Sequence, residues 1–457
     1  MGSGQRADER VPAVVVGAGY AGLAAALRLS DSGVPVVVLE AADRVGGRIH
    51  TERTADGVLV DLGGQWVGPT QRNLLAWAER FGCATFPTWD TGDYVEKWVD
   101  GTLRRYRGGG PADGPGMRAY LDAADRLDEL AATVRTDAPF AADDAAEWDA
   151  QTVHSYFART VPSADARRRL DLAVQGVWST EPRDISLLHL LFYMAAAGGF
   201  DQLMETEGAA QERRFTDGAQ APARAAAAHL GEAVRLGTEV RRIDHDDDGV
   251  LVRTTTGTVA AERVVMATPP PATAAIRFAP ALPVARARWI QRSPMGDVAK
   301  VHAIYPRPFW RDEGLAGVAT VYGDDAVGVV FDNSPPDASA GVLVAFVYGD
   351  RLRRWSALAP ADRRAEAVGT LRALFGPAAG SPAEYVEKIW PDDPWARGGY
   401  VANPAPGTWV EHGAGWRAPC GRIHWAGTET ADVWNGYMDG AISSGDRAAT
   451  EVLAALR

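Results

Sequence analysis

Gly17, Gly19 and Gly22 stand as G-x-G-x-x-G, with an acid, Glu40, one element further on. Residues of these types at these spacings can hold a dinucleotide. Gly17 allows a tight turn, Gly19 lets the backbone approach a pyrophosphate, and Gly22 lets a helix and a strand pack closely. Glu40 can accept from ribose hydroxyls. Three glycines alone are a weak signal, so the elements that must position them decide. Residues 13–16 (AVVV) have the composition of a buried parallel strand, 23–29 read as a helix, and Val36–Leu39 (VVVL), entered through Pro35, reads as the next strand. Strand, glycines, helix, strand and acid in that order form a complete dinucleotide unit.

A second constellation lies at the other end, in 425–440 (WAGTETADVWNGYMDG). Trp425-Ala426-Gly427 closes an apolar run at a glycine, Glu429 and Thr430 follow as polar loop residues, and 438–456 reads as a final helix. A strand turning through glycines into a helix start favours a partly anionic group, because free N–H groups and the helix dipole point at it. Tyr437 stands just before that helix, next to Gly436. Two further glycine pairs, Gly46-Gly47 and Gly63-Gly64, permit loops that hug a ligand. Arg48 beside the first can pair with phosphate, and Gln65-Trp66 follows the second. No second G-x-G-x-x-G follows a strand, so a separate nicotinamide domain is not expected.

Between these ends the periodicity predicts helices over 71–81, 117–135, 163–177 and 185–197, with short strands over 94–107 and a loop over 108–116. Val250–Thr254 and 259–268 read as paired strands stopping at Pro269-Pro270-Pro271. The alanine-rich 223–228 and 360–367 read as helices. Val298–Tyr305 reads as a strand with Lys300 and His302 on one face. A lysine amid valines and alanines is either an edge-strand gatekeeper or a functional buried base. His302 and His189 read as structural. Asp332–Pro336 reads as a turn, and Gly341–Tyr348 as a buried strand with Phe346 inward.

The 457 residues exceed one ordinary core, and 46% hydrophobic with 23% charged residues is an ordinary globular composition. The formal charge of −12 argues against a nucleic-acid surface. Cys83 and Cys420 make no disulfide framework and no metal site, which fits a reducing compartment. The opening MGSGQRADER lacks an apolar core, and 185–197 is too short to span a bilayer. No signal peptide, no membrane anchor and a cytoplasmic location are the expectations.

The sequence resembles the flavin-dependent amine oxidases, most of all their monoamine oxidase branch. The resemblance rests on GAGYAGLAAA, LEAADRVGGRIHTE, DLGGQWVGPTQ, AQERRF, PMGDVAKVHAIYPRPFW and WAGTETADVWNGYMDGA, in the family's order. It implies a mixed α/β fold in which a Rossmann-type FAD-binding domain (11–85, 212–290, 390–457) is interleaved with a substrate domain of mixed sheet and helices (86–211, 291–389). This is the two-domain fold of amine oxidases and p-hydroxybenzoate hydroxylase-like flavoproteins. Flavin contacts are implied for Gly17, Gly19, Gly22, Glu40, Arg48, Gly63, Gly64, Gln65, Val240, Trp390, Gly427, Glu429, Gly436, Tyr437 and Met438. Lys300 matches the family lysine held through a water to flavin N5, which reverses the gatekeeper reading. Tyr400 and Tyr437 match the two aromatic positions that sandwich the amine. Trp178, Met204, Gln211, Val329 and Phe346 are implied pocket residues, mainly apolar, with Gln211 as a polar handle. Homodimerisation is a family expectation.

Two departures carry weight. Family members with covalently bound flavin have cysteine just before the first cage tyrosine, and here that residue is Gly399, so non-covalent FAD is expected. The membrane tail of the mitochondrial enzymes is also missing. The expected reaction is oxidation of a primary or secondary monoamine to an imine, then to a carbonyl compound, with dioxygen reduced to hydrogen peroxide. A diamine would want a carboxylate at the far end, where Glu205 is the nearby candidate. An amino acid would want an arginine after the second glycine pair, where Gln65-Trp66 stands. The alternatives are an amine dehydrogenase, a flavoprotein without turnover, and a desaturase acting on a larger specialised metabolite.

Overall fold

A computed structural model describes residues 7–107 and 114–457. Most of the expected loop at 108–116 therefore lies outside the described residues. Two large sheets organise the chain. In the first, Glu9–Val16 runs parallel to Val36–Leu39 on one side and to Thr258–Met266 on the other. Ala13 and Val15 are buried in one core and Val14 and Val16 in another, on opposite faces of the sheet, as the unbroken apolar run requires. Val234–Arg235 extends the sheet beyond Val36–Leu39, and Ile423–Trp425 pairs in parallel with Thr258–Met266. Val240–His245 and Val250–Thr254 complete an antiparallel meander. Helix Tyr20–Asp31 lies against this sheet, and the C-terminal helix Met438–Ala455 packs on it. The two helices approach at Gly445, where a Cβ would sit 2.2 Å from Ala21 O.

The second sheet has seven strands in the order Glu384–Ile389, Val298–Tyr305, Gly341–Tyr348, Val329–Asp332, Leu315–Val321, Asp93–Lys97, Leu103–Tyr106. Val298–Tyr305 and Gly341–Tyr348 match the sequence reading residue for residue. The strand carrying Lys300 is interior, flanked by Glu384–Ile389 and Gly341–Tyr348, so Lys300 guards no edge. Its odd-numbered residues Ala299, Val301 and Ala303 pack under helices Gly349–Ser356 and Pro360–Phe375. The even-numbered ones face the other way. Register on that face sets Lys300 beside Phe346, Phe346 beside Val329, and Val329 beside Thr320.

Helices Met117–Ala131, Ala164–Trp178 and Leu187–Ala197 form a third core. Ser163 starts the second, its Oγ accepting from Ala166 N, and Gly198 ends the third with φ +94°. Two of these helices are shorter than their periodicity suggests. Leu187–Ala197 begins two residues late because Ser186 Oγ donates to Asp149 while Ile185 O accepts from Val153 N. Met117–Ala131 stops short of 135. Among the described residues no helix is long and apolar enough to cross a membrane.

Candidate active site

A cavity of about 510 Å³ runs from the turn at Gly17, past the face of the second sheet, to the inner side of helix Ala164–Trp178. Its inner end is a cradle of backbone. Gly17 has φ +101°, and a Cβ there would press on Ala267 O at 2.9 Å. Gly46 and Gly47 also have positive φ and line the cavity beside Gly19. Helix Tyr20–Asp31 begins here with Gly19 as its N-cap and no side chain capping it, so its first N–H groups face the cavity. Glu40 lines the cavity with Oε2 accepting from Ala18 N at 2.6 Å and Oε1 from Ala42 N at 2.8 Å. Burial pushes its carboxyl up against the pull of those two donors. The free helix start, the glycine cradle and the fixed carboxylate fit a dinucleotide's pyrophosphate and ribose.

Gly22 does not reach the cavity. A Cβ there would lie 1.9 Å from Gly17 O, so its role is the close packing of helix on turn. Glu429 also stands back. Its Oε1 and Oε2 take a fork from Arg48 at 2.5 and 3.0 Å, and Arg48 Nη1 donates to Tyr400 O at 2.8 Å. Arg48 lines the cavity as expected, held there by this fork, whereas Glu429 is not among the lining residues. Gly63, Gly64, Gln65, Val240, Trp390, Gly427, Gly436 and Met438 all line the cavity, as expected. Trp390 is held by its Nε1 donating to Leu62 O at 2.9 Å.

Lys300 lines the cavity at its centre and is 1% exposed. Its Nζ donates to Asp61 O (2.6 Å), Gly63 O (2.8 Å) and Gln65 Oε1 (2.5 Å). Burial pulls the ammonium down to about 7, with the Asp61 carboxylate opposing and the Arg214 guanidinium adding to the fall. Next along the strand, His302 is held neutral by burial first, then by the charges of Lys300 and Arg214.

Tyr400 and Tyr437 both line the cavity. Two further tyrosines that the sequence reading missed, Tyr348 and Tyr193, line it beside them. Tyr348 Oη lies 3.3 Å from Tyr400 Oη, and the Tyr193 ring is 6.0 Å from that of Tyr437. Burial pushes the phenols of Tyr400 and Tyr437 up, so they remain neutral. A Cβ on Gly436 would strike Tyr193 Oη, so glycine is required beside the cage. Period two from Phe346 could have found Tyr348. Tyr193 sits in a mostly apolar helix, buried all round, that gives no such signal.

Met204, Gln211, Val329 and Phe346 line the cavity as expected. Gln211 Nε2 donates to Leu203 O at 3.0 Å, leaving Oε1 and the second N–H for a ligand. Trp178 does not line it. It is fully buried against Tyr193, ring centroids 5.0 Å apart. The helix turns Arg169, Leu172, Ala173, Gly176 and Val177 to the cavity instead. The outer end carries Tyr94, Tyr106, Tyr120 and Tyr322 with Asp201 and Glu205. Burial, then Asp201 and Asp90, pushes the Glu205 carboxyl up. Among the described residues no cluster of histidine, cysteine and carboxylate groups could hold a metal.

Residues 20–453 match the family model of flavin containing amine oxidoreductases. AofH of Mycobacterium tuberculosis (strain H37Rv), which carries the name of a flavin-containing monoamine oxidase, is 40% identical over 98% of this chain and 97% of its own. Wild-type putrescine oxidase bound to putrescine superposes with a TM-score of 0.94 at 32% identity, over 97% of this chain and 99% of that one. Cyclohexylamine oxidase from Brevibacterium oxydans gives the same TM-score, 0.94, at 34% identity over 98% and 99%. The chain belongs to the flavin-containing amine oxidoreductases and is an amine oxidase of that family.

Proposed function

We propose that the protein is an FAD-dependent oxidase of primary or secondary monoamines, with the flavin held non-covalently. One observation carries the reading: the cage tyrosines Tyr400 and Tyr437 open on the same cavity as Lys300 and the uncapped helix start at Gly19. The overall change is R-CH2-NH2 + O2 + H2O to R-CHO + NH3 + H2O2. FAD, when bound, accepts two electrons from the amine and passes them to dioxygen.

The chain's residues do the rest. Gly17, Gly19, Gly46 and Gly47 admit the pyrophosphate, and Glu40 takes the ribose hydroxyls. The aromatic faces of Tyr400 and Tyr437 present a negative quadrupole and an apolar slot that orients the amine nitrogen. The second uncapped helix start, at Met438, favours negative charge in front of it. Lys300, poised near neutral pH, can hold or release a proton at Nζ beside the reacting groups. The proposed division follows the two sheets: 11–85, 212–290 and 390–457 for FAD, 86–211 and 291–389 for the amine. Both cysteines are free, which suits action in the cytoplasm.

A diamine is the second reading, favoured by Asp201 and Glu205 at the outer end of the cavity. The test is anaerobic mixing of the yellow protein with monoamines, diamines and amino acids while flavin absorbance is followed. Bleaching by benzylamine or phenethylamine, with peroxide formed on admitting air, is expected. Bleaching without peroxide would make it a dehydrogenase. Bleaching by diamines alone would establish the second reading.

A further inference from the structure

Gly176 lies inside the 15-residue helix Ala164–Trp178. Glycine is the poorest ordinary residue for a helix interior, and alanine the best. Three other glycines in long helices are explained by packing. At Gly22, Gly440 and Gly445 an added Cβ would sit 1.9–2.2 Å from a backbone oxygen. At Gly369 a Cβ would meet nothing within 4 Å, but the open space there is solvent. At Gly176 a Cβ would meet nothing within 4 Å, and φ is not positive, so neither packing nor backbone conformation demands glycine. The open space there is the cavity itself.

The position of that space is informative. Leu172, one turn earlier, meets Tyr348 over Gly328, where a Cβ would lie 3.2 Å from Leu172 Cδ1 and 3.4 Å from Tyr348 Cδ2. Ser179, about 5 Å further along the helix axis, stands beside the Gly399–Tyr400 segment: a Cβ on Gly296 would lie 2.9 Å from Ser179 Cβ and 2.4 Å from Gly399 O. Gly176 therefore hollows the wall directly beside the Tyr348–Tyr400 side of the cage. The carbon chain of an unbranched amine needs one way out of the slot between the two tyrosine rings. A second carbon substituent on the nitrogen-bearing carbon must leave that slot sideways.

We infer that Gly176 is a specificity-determining residue whose hollow admits amines with a branched or ring carbon next to nitrogen, oxidised to ketones rather than aldehydes. The inference rests on the proposed amine oxidation at this cavity. Benzylamine and 1-phenylethylamine differ by one methyl group on that carbon and make the direct test. The rate constants of anaerobic flavin bleaching are measured for both with wild type, Gly176→Ala and Gly176→Leu, taking the better enantiomer of the branched amine. Wild type should accept both. Gly176→Leu should lower the ratio of 1-phenylethylamine to benzylamine by about tenfold to a hundredfold, the discrimination a filled apolar pocket gives, and Gly176→Ala by less. Gly176→Ala should also raise the thermal midpoint, because the helix gains alanine and loses no contact. An unchanged ratio in Gly176→Leu, or a wild type that bleaches with benzylamine but not the branched amine, overturns the inference and leaves the monoamine reading standing. A wild type bleached by neither amine, nor by any other amine, overturns that reading and the inference with it.

Discussion

Gln65 Oε1 accepts from Lys300 Nζ at 2.5 Å while Gln65 Nε2 donates to Asn333 Oδ1 at 2.7 Å. The direction of both bonds is fixed from further out. Arg214 can only donate, and its Nη1 reaches the same Asn333 Oδ1 at 2.6 Å. That oxygen cannot be the amide nitrogen, so Gln65 must turn its own oxygen to the lysine. With Asp61 O and Gly63 O, the three protons of an ammonium all find acceptors, and this offsets part of the cost of burying it.

Breaking this chain should lower the proton affinity of Lys300 without moving the other lysines. The protein has three, and Lys97 and Lys388 are paired with Asp325 at 2.7 Å and Asp393 at 3.0 Å. Lysine labelled with carbon-13 at Cε therefore gives three resolvable titrations. In Asn333→Leu and Gln65→Leu the Lys300 midpoint should fall below its wild-type value of about 7. A midpoint that stays put in both variants would mean the amide pair does not hold the lysine.

Replacing the lysine should separate chemistry from stability. Lys300→Met should slow flavin reduction or reoxidation by roughly tenfold or more, the scale of a lost proton-handling contact. The folded-state value of about 7 lies below the ordinary lysine value of 10.5, because burial disfavours the charge. Between those values the unfolded chain holds the extra proton, so Lys300 gives wild type a stability that rises with pH. The gap between wild type and Lys300→Met should shift in favour of wild type by about 1.4 kcal/mol per pH unit across that window, and stay flat below it. Denaturant midpoints from pH 6 to about 10 check the sign.

The fork from Arg48 to Glu429 joins the first glycine loop to the C-terminal stretch. Glu429→Gln would leave a guanidinium that is only 20% exposed without its carboxylate. Breaking one side of a buried pair costs about 3 kcal/mol or more. Because Arg48 also holds Tyr400 O, the loss should reach the cage. A lower thermal midpoint together with a raised KM for amine is expected. A raised KM without a stability loss would instead point to direct contact between Glu429 and substrate.

Much of this was legible in the sequence, and what was not shares a cause. Gly17, Gly19 and Glu40 announce themselves because their partners are close in sequence. Lys300 read as ambiguous because the strand that removes it from an edge, Glu384–Ile389, comes some eighty residues later. Trp178 was assigned to the pocket by likeness, but the rotation of helix Ala164–Trp178 is set by packing on Tyr193, and that turned Gly176 inward instead. Arg48 and Glu429 were each read as ligand contacts. Their mutual pairing spans 381 positions and has no local trace.

Gly399 offers the last prediction. The chain has no thiol before the first cage tyrosine; its two cysteines, Cys83 and Cys420, are remote in sequence, and neither lines the cavity. Acid precipitation of the wild type should therefore release all yellow colour into the supernatant. The position itself can take a Cβ with a small adjustment. Gly399 has no positive φ, and a Cβ there would lie 3.3 Å from Val298 Cγ1 and 3.7 Å from Trp390, a contact relieved by a few tenths of an ångström. Since the covalent members of the resembling family carry cysteine at this place, Gly399→Cys should retain flavin on the acid pellet in part or in full. Colour on the wild-type pellet would contradict non-covalent binding. A colourless Gly399→Cys pellet would show that this position does not face the flavin as the resemblance implies.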